Sequence, residues 1–530
     1  MFFLPHYTGQ LFSVREGGLN KHHLMNLEKL EVWQTLYGTE TRNGIAVSWD
    51  NAIDDVIRKI QDAGPFDVSD LRGRGVWLEN GEIIISTGKK IIKEKEEYEL
   101  KNYKSNHIYE RLKEKKMEFS DPAKDDESKK IINCIEKLSF EKKISALYLA
   151  GWCVLAPFCG ALDWRPHVWI TGSSGSGKTT ILKYIITPML GDFSVYTSGL
   201  SSGAGIRQKM KNDSFSIVLD EAEPGSYQTG KINEILDLAR MSSSEFRGSQ
   251  VYKGTQAGNG ISYKMRSMFC LSSVNTSLNK QADESRFSLI SLDQNYKYPW
   301  TQLESEIFQT FSDEACKRVR ARTMKNISVI RKNAKTFSFA AGSVLGKQRA
   351  GDQIGALVAG AMSLYEIKEY KLEEAKKIIK KYNIEINDED NFSDEMQCFL
   401  KIFQSKIIYI SEKGKNETTN LMNLVNMANT IPDGSNSNMI NVATEELLKY
   451  GIRTKDNRVY LASNYAWIKD ILQGSEWEHN YSKILRRLSF VDKELSCIRF
   501  GNYHRGNAVG IEKSNFEYFS QDKIFEEAGF

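Results

Sequence analysis

One stretch constrains this chain more than any other: His167–Thr180, HVWITGSSGSGKTT. The apolar run His167–Ile170 reads as a buried strand. It leads into Gly172-Ser173-Ser174-Gly175-Ser176-Gly177-Lys178-Thr179, a complete G-x-x-x-x-G-K-[ST] pattern. From Thr180 onward, apolar residues recur at helical spacing. Strand, glycine-rich loop and helix together wrap backbone N–H groups and a helix N-terminus around phosphate oxygens. In such a loop Gly172 through Thr180 cradle the phosphates of a nucleoside triphosphate. Lys178 reaches the β- and γ-phosphates, and the Thr179 hydroxyl binds Mg²⁺. ATP and Mg²⁺ are therefore the expected cofactors.

Carboxylates follow at a useful distance. Phe215-Ser-Ile-Val-Leu-Asp220-Glu221 is an apolar strand ending in two acids. Asp220 is expected to hold the Mg²⁺ shell, and Glu221 to orient and polarise an attacking water. A further apolar strand, Ser267–Val274, ends at Asn275, whose amide suits holding that water. Arg286 comes soon after, within Asp283-Glu-Ser-Arg-Phe287. Between the acids and Asn275, Gln250–Gly254 and Ile261–Lys264 flank a glycine-rich run and predict a β-hairpin. Lys253 and Lys264 sit on its two arms. Side chains alternate along a strand, so the two need not face the same way.

The remainder is read around this core. Residues 1–110 predict a small α+β domain. Thr8-Gly9 turns one hairpin, Ala52–Ile60 forms a helix with Asp50 as N-cap and Gly64 as stop, and Asn80-Gly81 turns a second hairpin. Arg72 and Arg74, in Arg-Gly-Arg-Gly, either meet nucleic-acid phosphate or cap that hairpin. Residues 93–130, dense in Lys and Glu, suggest a solvated helix and linker. Residues 111–300 hold the ATPase core and 301–386 a helical lid. Arg349, at the start of an apolar helix, is the candidate second sensor of the γ-phosphate. A polar boundary at Asn387–Asn391 precedes a domain over 387–530. There, a helix ended by Gly451 and a hairpin tipped by Lys455–Arg458 form a winged-helix pattern. Lys483, Arg486, Arg487, Arg499 and Arg505 add positive charge, either as a DNA contact or as a solubilising face.

Composition excludes several classes. Hydrophobic residues at 41% and charged residues at 26% describe an ordinary soluble chain, and a net charge of +4 only weakly favours an acidic partner. Seven cysteines are scattered without a C-x-x-C pair, which argues against a disulfide framework or zinc module and for a reducing cytoplasm. The N-terminus lacks the basic and apolar regions of a signal peptide. Ile144–Leu162 is uncharged and nearly long enough to span a bilayer, but its helical spacing and position predict a core helix instead.

With these pieces in order, the chain resembles the AAA+ replication helicases of prophages and plasmids. These often form the C-terminal half of a primase–helicase, and they belong with superfamily III viral helicases and MCM-like rings. The resemblance rests on Phe66-Asp67 with Arg72–Trp77, Leu149–Trp152, Trp164–Gly172, Ala204–Gln208 and Asp220–Glu223. It continues through Lys253-Gly254, Ser285–Phe287 and Arg349–Gln353. It implies an α/β fold: an AAA+ P-loop ATPase core with a helical lid, a small N-terminal α+β domain and a C-terminal winged-helix-like domain. It also implies a homo-oligomer, a hexameric ring on DNA. Lys178, Thr179, Asp220, Glu221 and Asn275 would belong to one subunit's site, Arg286 to the neighbour's, and Lys253 to a channel hairpin. No primase or zinc module is read upstream, so a separate primase is the expected source of primers. The competing expectation is an ATP-driven DNA-binding switch, in origin recognition or anti-phage defence, without processive unwinding.

Overall fold

The computed structural model describes residues 2–518, apart from 6–7, 15–16, 43, 65, 68–69, 95, 200, 223–228, 246–250, 255–259, 277, 279–280, 294–297, 383–392, 412–413, 433–435, 474, 476 and 503. The chain divides into two compact units at residues 384/385. The expected polar boundary at Asn387–Asn391 lies outside the described residues.

The first unit opens with the expected hairpin, Phe3 pairing with Phe12, and a helix over Trp49–Ala63. Ser48 holds that helix's N-cap position, and Asp50 lies inside its first turn. A four-stranded antiparallel meander follows: β1 (Gly75–Glu79), β2 (Glu82–Ser86), β3 (Lys90–Lys93) and β4 (Glu96–Glu99). Asn80 and Gly81 take positive φ, 52° and 86°, as a tight turn between twisted strands requires. The charge-rich stretch departs from its helical reading here. Its lysines and glutamates pair across strands, Lys90 with Glu97 at 2.7 Å and Lys93 with Glu82, while Ile91 points into the core. Alternation with period two thus carries these charges, and helix begins only at Asp125.

Helices α1 (Asp125–Glu136) and α2 (Ile144–Leu155) precede the core sheet. All twelve residues of α2 are buried, and Pro157 ends it in a 3₁₀ turn. The apolar run Ile144–Ala161, long and apolar enough for a bilayer, is thus a core element of this unit, 94% buried. The sheet contains β5 (His167–Thr171), β6 (Ser194–Ser198), β7 (Ser216–Asp220), β8 (Phe269–Ser273) and β9 (Phe287–Ser291). All neighbours are parallel, in the order β6-β7-β8-β5-β9. Its central strands read as near-continuous apolar runs because helices cover both faces. Helix α3 starts at Lys178, passes through a π-helical turn over Leu182–Ile186 and ends at Leu190. Helix α4 spans Gly203–Met210 and α5 spans Thr229–Ser242.

The expected hairpin forms a separate antiparallel pair, with Lys253 opposite Ile261. Its tip, 255–259, and the side chains of its two strands lie outside the described residues. Five helices complete the unit: α6 (Trp300–Thr310), α7 (Asp313–Lys325), α8 (Ile327–Leu345), α9 (Gln348–Tyr365) and α10 (Leu372–Lys381). Helix α9 packs on both α8 and α2, so these helices share one hydrophobic core with the sheet.

The second unit has its own core, centred on Phe399, Phe403 and Phe516. The helix Ser437–Lys449 ends at Gly451 (φ 72°) and leads into the hairpin Ile452–Lys455/Arg458–Ala462. That hairpin is not a free two-stranded wing. Its second strand also pairs with His504–Glu512, which pairs with Val491–Phe500, giving a four-stranded sheet. Arg458 at the tip is tied to Asp492 at 3.3 Å and Glu512 at 3.5 Å.

Candidate functional site

Strand register gathers one group of residues at the C-terminal edge of the core sheet. Thr171, the last residue of β5, lies opposite Ser273, and Leu219 of β7 lies opposite Leu271. The loop after β5, Asp220-Glu221 after β7 and Asn275 beyond β8 therefore emerge side by side. In the loop, Gly172, Gly175 and Gly177 all take positive φ. A Cβ on Gly172 would stand 2.5 Å from Ser176 Oγ, so the loop closes this tightly only with glycine there. Lys178 Nζ donates to the carbonyls of Gly172 (2.5 Å) and Ser173 (3.0 Å), which folds its ammonium back over the loop. Ser173, Ser174, Gly175 and Thr179 are exposed, and Thr180 is half-buried. Ser176 Oγ is buried with no hydrogen-bond partner among the described residues.

These residues fit a Mg²⁺–nucleoside triphosphate. The loop supplies a glycine cradle, an orphaned hydroxyl, a lysine and a helix N-terminus for phosphate. Thr179 and Asp220 supply the hard oxygen donors that Mg²⁺ takes. The acids are held with care. Glu221 sits at φ +56°, a left-handed conformation costing a non-glycine residue of order 1–3 kcal/mol. Three contacts impose it. The Gly199 N–H donates to the Asp220 carbonyl at 2.9 Å, the Ala222 N–H donates to the Ser272 carbonyl at 2.8 Å, and the Glu221 N–H donates to Asp220 Oδ1 at 3.0 Å. A Cβ at Gly199 would lie 2.1 Å from the Glu221 carbonyl oxygen, so only glycine lets the chain after β6 brace this turn. The Glu221 side chain is thereby presented to solvent. Asn275 is likewise exposed, and a relay fixes its backbone: Trp169 Nε1 donates to Ser273 Oγ (2.7 Å), which donates to the Asn275 carbonyl (2.5 Å). Gly199 carries no recognisable pattern, and although Trp169 and Ser273 fall within the strands read from the sequence, nothing local there signals the bond between them.

A second group collects at the opposite edge. His167 pairs in register with Phe287, so Arg286 stands at the N-terminal edge of the sheet. The His167 N–H donates to the Arg286 carbonyl at 3.2 Å. The buried His167 ring accepts from the Phe269 N–H at Nδ1 (3.1 Å), so its proton sits on Nε2, which donates to the Ala239 carbonyl (2.7 Å). Burial, together with the charges of Arg165 and Arg286, outweighs the Ala239 bond and pushes its pKa down to about 3. Gln353, one turn after Arg349 on α9, donates to the His167 carbonyl at 2.7 Å and to Ser288 Oγ at 3.1 Å. Arg349 therefore belongs to this edge too. Burial and the positive charges of Arg349 and Arg240 all lower the Arg286 pKa. Arg240 pairs with buried Asp283 at 3.0 Å, and the Asp283 carbonyl accepts from the Arg286 N–H at 2.9 Å. Six residue steps, from Pro166 level with Arg286 to Gly172, separate this edge from the loop, about 20 Å at about 3.3 Å per residue. That exceeds the reach of an arginine side chain. Arg286 and Arg349, the candidate second sensor of the γ-phosphate, thus both stand at the edge away from the loop of their own chain.

The other basic candidates have structural occupations. Arg74 pairs with Asp213 at 2.5 Å, and Arg72 is buried over Trp77, bonded to Tyr109 Oη. The Arg-Gly-Arg-Gly run thus joins the meander to the core, and its nucleic-acid alternative lapses. Lys264 Nζ is held by Glu245 at 2.5 Å.

No family model matches this chain, and no curated protein matches it. Two solved structures are similar at 12% identity. One is an SCCmec type IV Cch described as an active helicase, with a TM-score of 0.47 over 89% of this chain and 85% of that one. The other is the apo C-terminal region of NrS-1, with a TM-score of 0.33 over 90% of this chain and 93% of that one.

Proposed function

We propose that this chain is an ATP-dependent DNA helicase or translocase that works as a ring, a hexamer by its sequence resemblance, in the replication of a prophage, plasmid or phage satellite. The observation that supports it most is the division of the catalytic set between opposite edges of one sheet. A phosphate loop, two acids and Asn275 stand at one edge, while Arg286 and Arg349 stand at the other. Head-to-tail association of copies brings one chain's arginines to the next chain's loop, and such association closes into rings.

When bound, MgATP supplies the anhydride to be cleaved and the metal's Lewis acidity. Lys178 and the loop N–H groups neutralise phosphate charge, and Thr179 and Asp220 hold the metal. Glu221 takes a proton from the attacking water, which Asn275 orients. Arg286, with Arg349 beside it, offers positive charge to the neighbour's site. Lys253, on the hairpin, lines the channel and grips the DNA backbone. Each such phosphate contact on a single strand adds about −0.7 to the log–log salt slope. Lys264, held by Glu245, is left out of this grip. The winged-helix reading of the second unit, with Lys483, Arg487 and Arg505, supplies an additional DNA contact.

A strand-displacement assay on forked DNA tests the reading. The wild type should separate the fork with ATP. Lys253→Ala should keep ATP binding and assembly while losing displacement and DNA-stimulated ATPase. ATP-dependent DNA binding without displacement by the wild type would instead mark an assembly switch.

A further inference from the structure

The foot of the hairpin's second arm is held by one carboxylate. Glu245 lies six residues before the first arm, which begins at Val251, and Lys264 directly follows the second. Glu245 Oε1 accepts from Arg165 Nη2 at 2.8 Å and from Arg266 Nε at 2.9 Å, and Oε2 accepts from Lys264 Nζ at 2.5 Å. The Lys264 ammonium also donates to the Glu245 carbonyl at 3.0 Å. Arg165 is fully buried and anchored by the carbonyls of Ser242 (2.6 Å) and Leu162 (2.6 Å). Burial alone would raise the Glu245 pKa, yet Arg165, Arg266 and Lys264 bring it down to about 2. Three largely covered cations thus share one half-buried anion, and removing it leaves their charge uncompensated. Arg266 also reaches away from the hairpin. Its guanidinium lies 5.4 Å from the Trp77 ring of β1, and Arg72 lies 5.1 Å from the same ring.

We propose that Glu245 is the positioning residue of the hairpin: a charged hinge pin that joins the foot of its second arm to the fixed Arg165 and, through Arg266 and Trp77, to the N-terminal meander. The role in DNA translocation rests on the function proposed above. The mechanical role does not. With that foot pinned, a push on the hairpin's arms is transmitted to the core sheet and to the meander. With the pin removed, the hairpin pivots freely and the push is lost.

The test uses Glu245→Gln, which keeps the side chain's shape, and Lys264→Met, which frees the second foot while leaving the Arg165–Glu245–Arg266 bonds in place. The second variant keeps the proposal testable should the first not fold. Hydrogen exchange at the amides of 251–254 and 260–263 should quicken about tenfold or more in each, with exchange in Ser216–Asp220 unchanged. The double variant should loosen the hairpin no further than Glu245→Gln, as partners in one network do. Basal ATPase should persist while its stimulation by single-stranded DNA falls. Hairpin amides as protected as in the wild type would overturn the hinge. Loosened amides with undiminished stimulation would overturn its positioning role. A wild type that DNA fails to stimulate would remove the translocase reading, while the exchange result would still decide the hinge.

Discussion

The two edges of the core sheet solve opposite problems with the same backbone. At the C-terminal edge, Glu221 and Asn275 are exposed, and Ser176 Oγ is buried without a hydrogen-bond partner among the described residues. At the N-terminal edge almost everything is tied inward. His167 uses both ring nitrogens and both backbone groups, and through them holds α5, β8, α9 and the Arg286 backbone in place. One edge is shaped to receive a ligand. The other fixes the backbone that carries Arg286. On the function proposed above, the second edge serves a neighbouring copy's ligand, since strand length puts its own out of reach.

The sharpest way to break this comparison is to remove the arginine. An arginine finger contributes roughly 10³–10⁵ in rate, so Arg286→Ala should lose that much ATPase. Lys178→Ala should fail to bind nucleotide productively. Mixing the two inactive proteins should restore turnover at hybrid interfaces, measured as ATPase after confirmed subunit exchange. No recovery would show that the edges do not meet across copies. Next comes Glu221→Gln, which removes a general base worth roughly 10²–10⁴ while leaving Thr179 and Asp220 to hold the metal. Bound ATP should persist in a filter assay while product formation stops. Turnover near the wild-type rate would take the base away from this edge.

The smallest effect sharpens the opposite edge. The folded-state pKa of His167 lies near 3, below its ordinary 6.5, so the unfolded chain binds the extra proton first. This group's contribution to stability is complete above pH 6.5 and is lost as pH falls toward 3, at about 1.4 kcal/mol per pH unit. Glu245, depressed to about 2, begins to add its own loss only below its ordinary 4.5, but His107, lowered by burial and by Arg72, loses stability over the same range, so the His167 share is read as the difference between wild type and His167→Gln from pH 6.5 to 5. Denaturant melts across that window should show the slope in the wild type and a flatter one in His167→Gln. Equal slopes would mean the ring is not buried neutral.

The sequence revealed these edges unequally, for physical reasons. The phosphate loop was readable because its chemistry is local: three glycines, a lysine and a hydroxyl within eight residues. Strand register is not local. Nothing in the run around Arg349 tells which end of the sheet its helix will reach, since the Gln353–His167 bond spans 186 positions. The Lys/Glu pattern of 90–99 suits a helix face and a hairpin ladder alike, and Ile91, buried beneath it, decided for the hairpin. Glu245 was invisible for a related reason. Its meaning comes from Arg165, Lys264 and Arg266, and a buried network announces itself only once folding has assembled it.

The left-handed backbone of Glu221 has one more consequence. At φ +56° the position would suit glycine better than any acid. Substitutions chosen only for thermal robustness would therefore favour replacing the residue assigned to activate water. A gain of about 1 kcal/mol in folding would accompany the loss of turnover. A melting curve read without an activity assay would rank that exchange as an improvement.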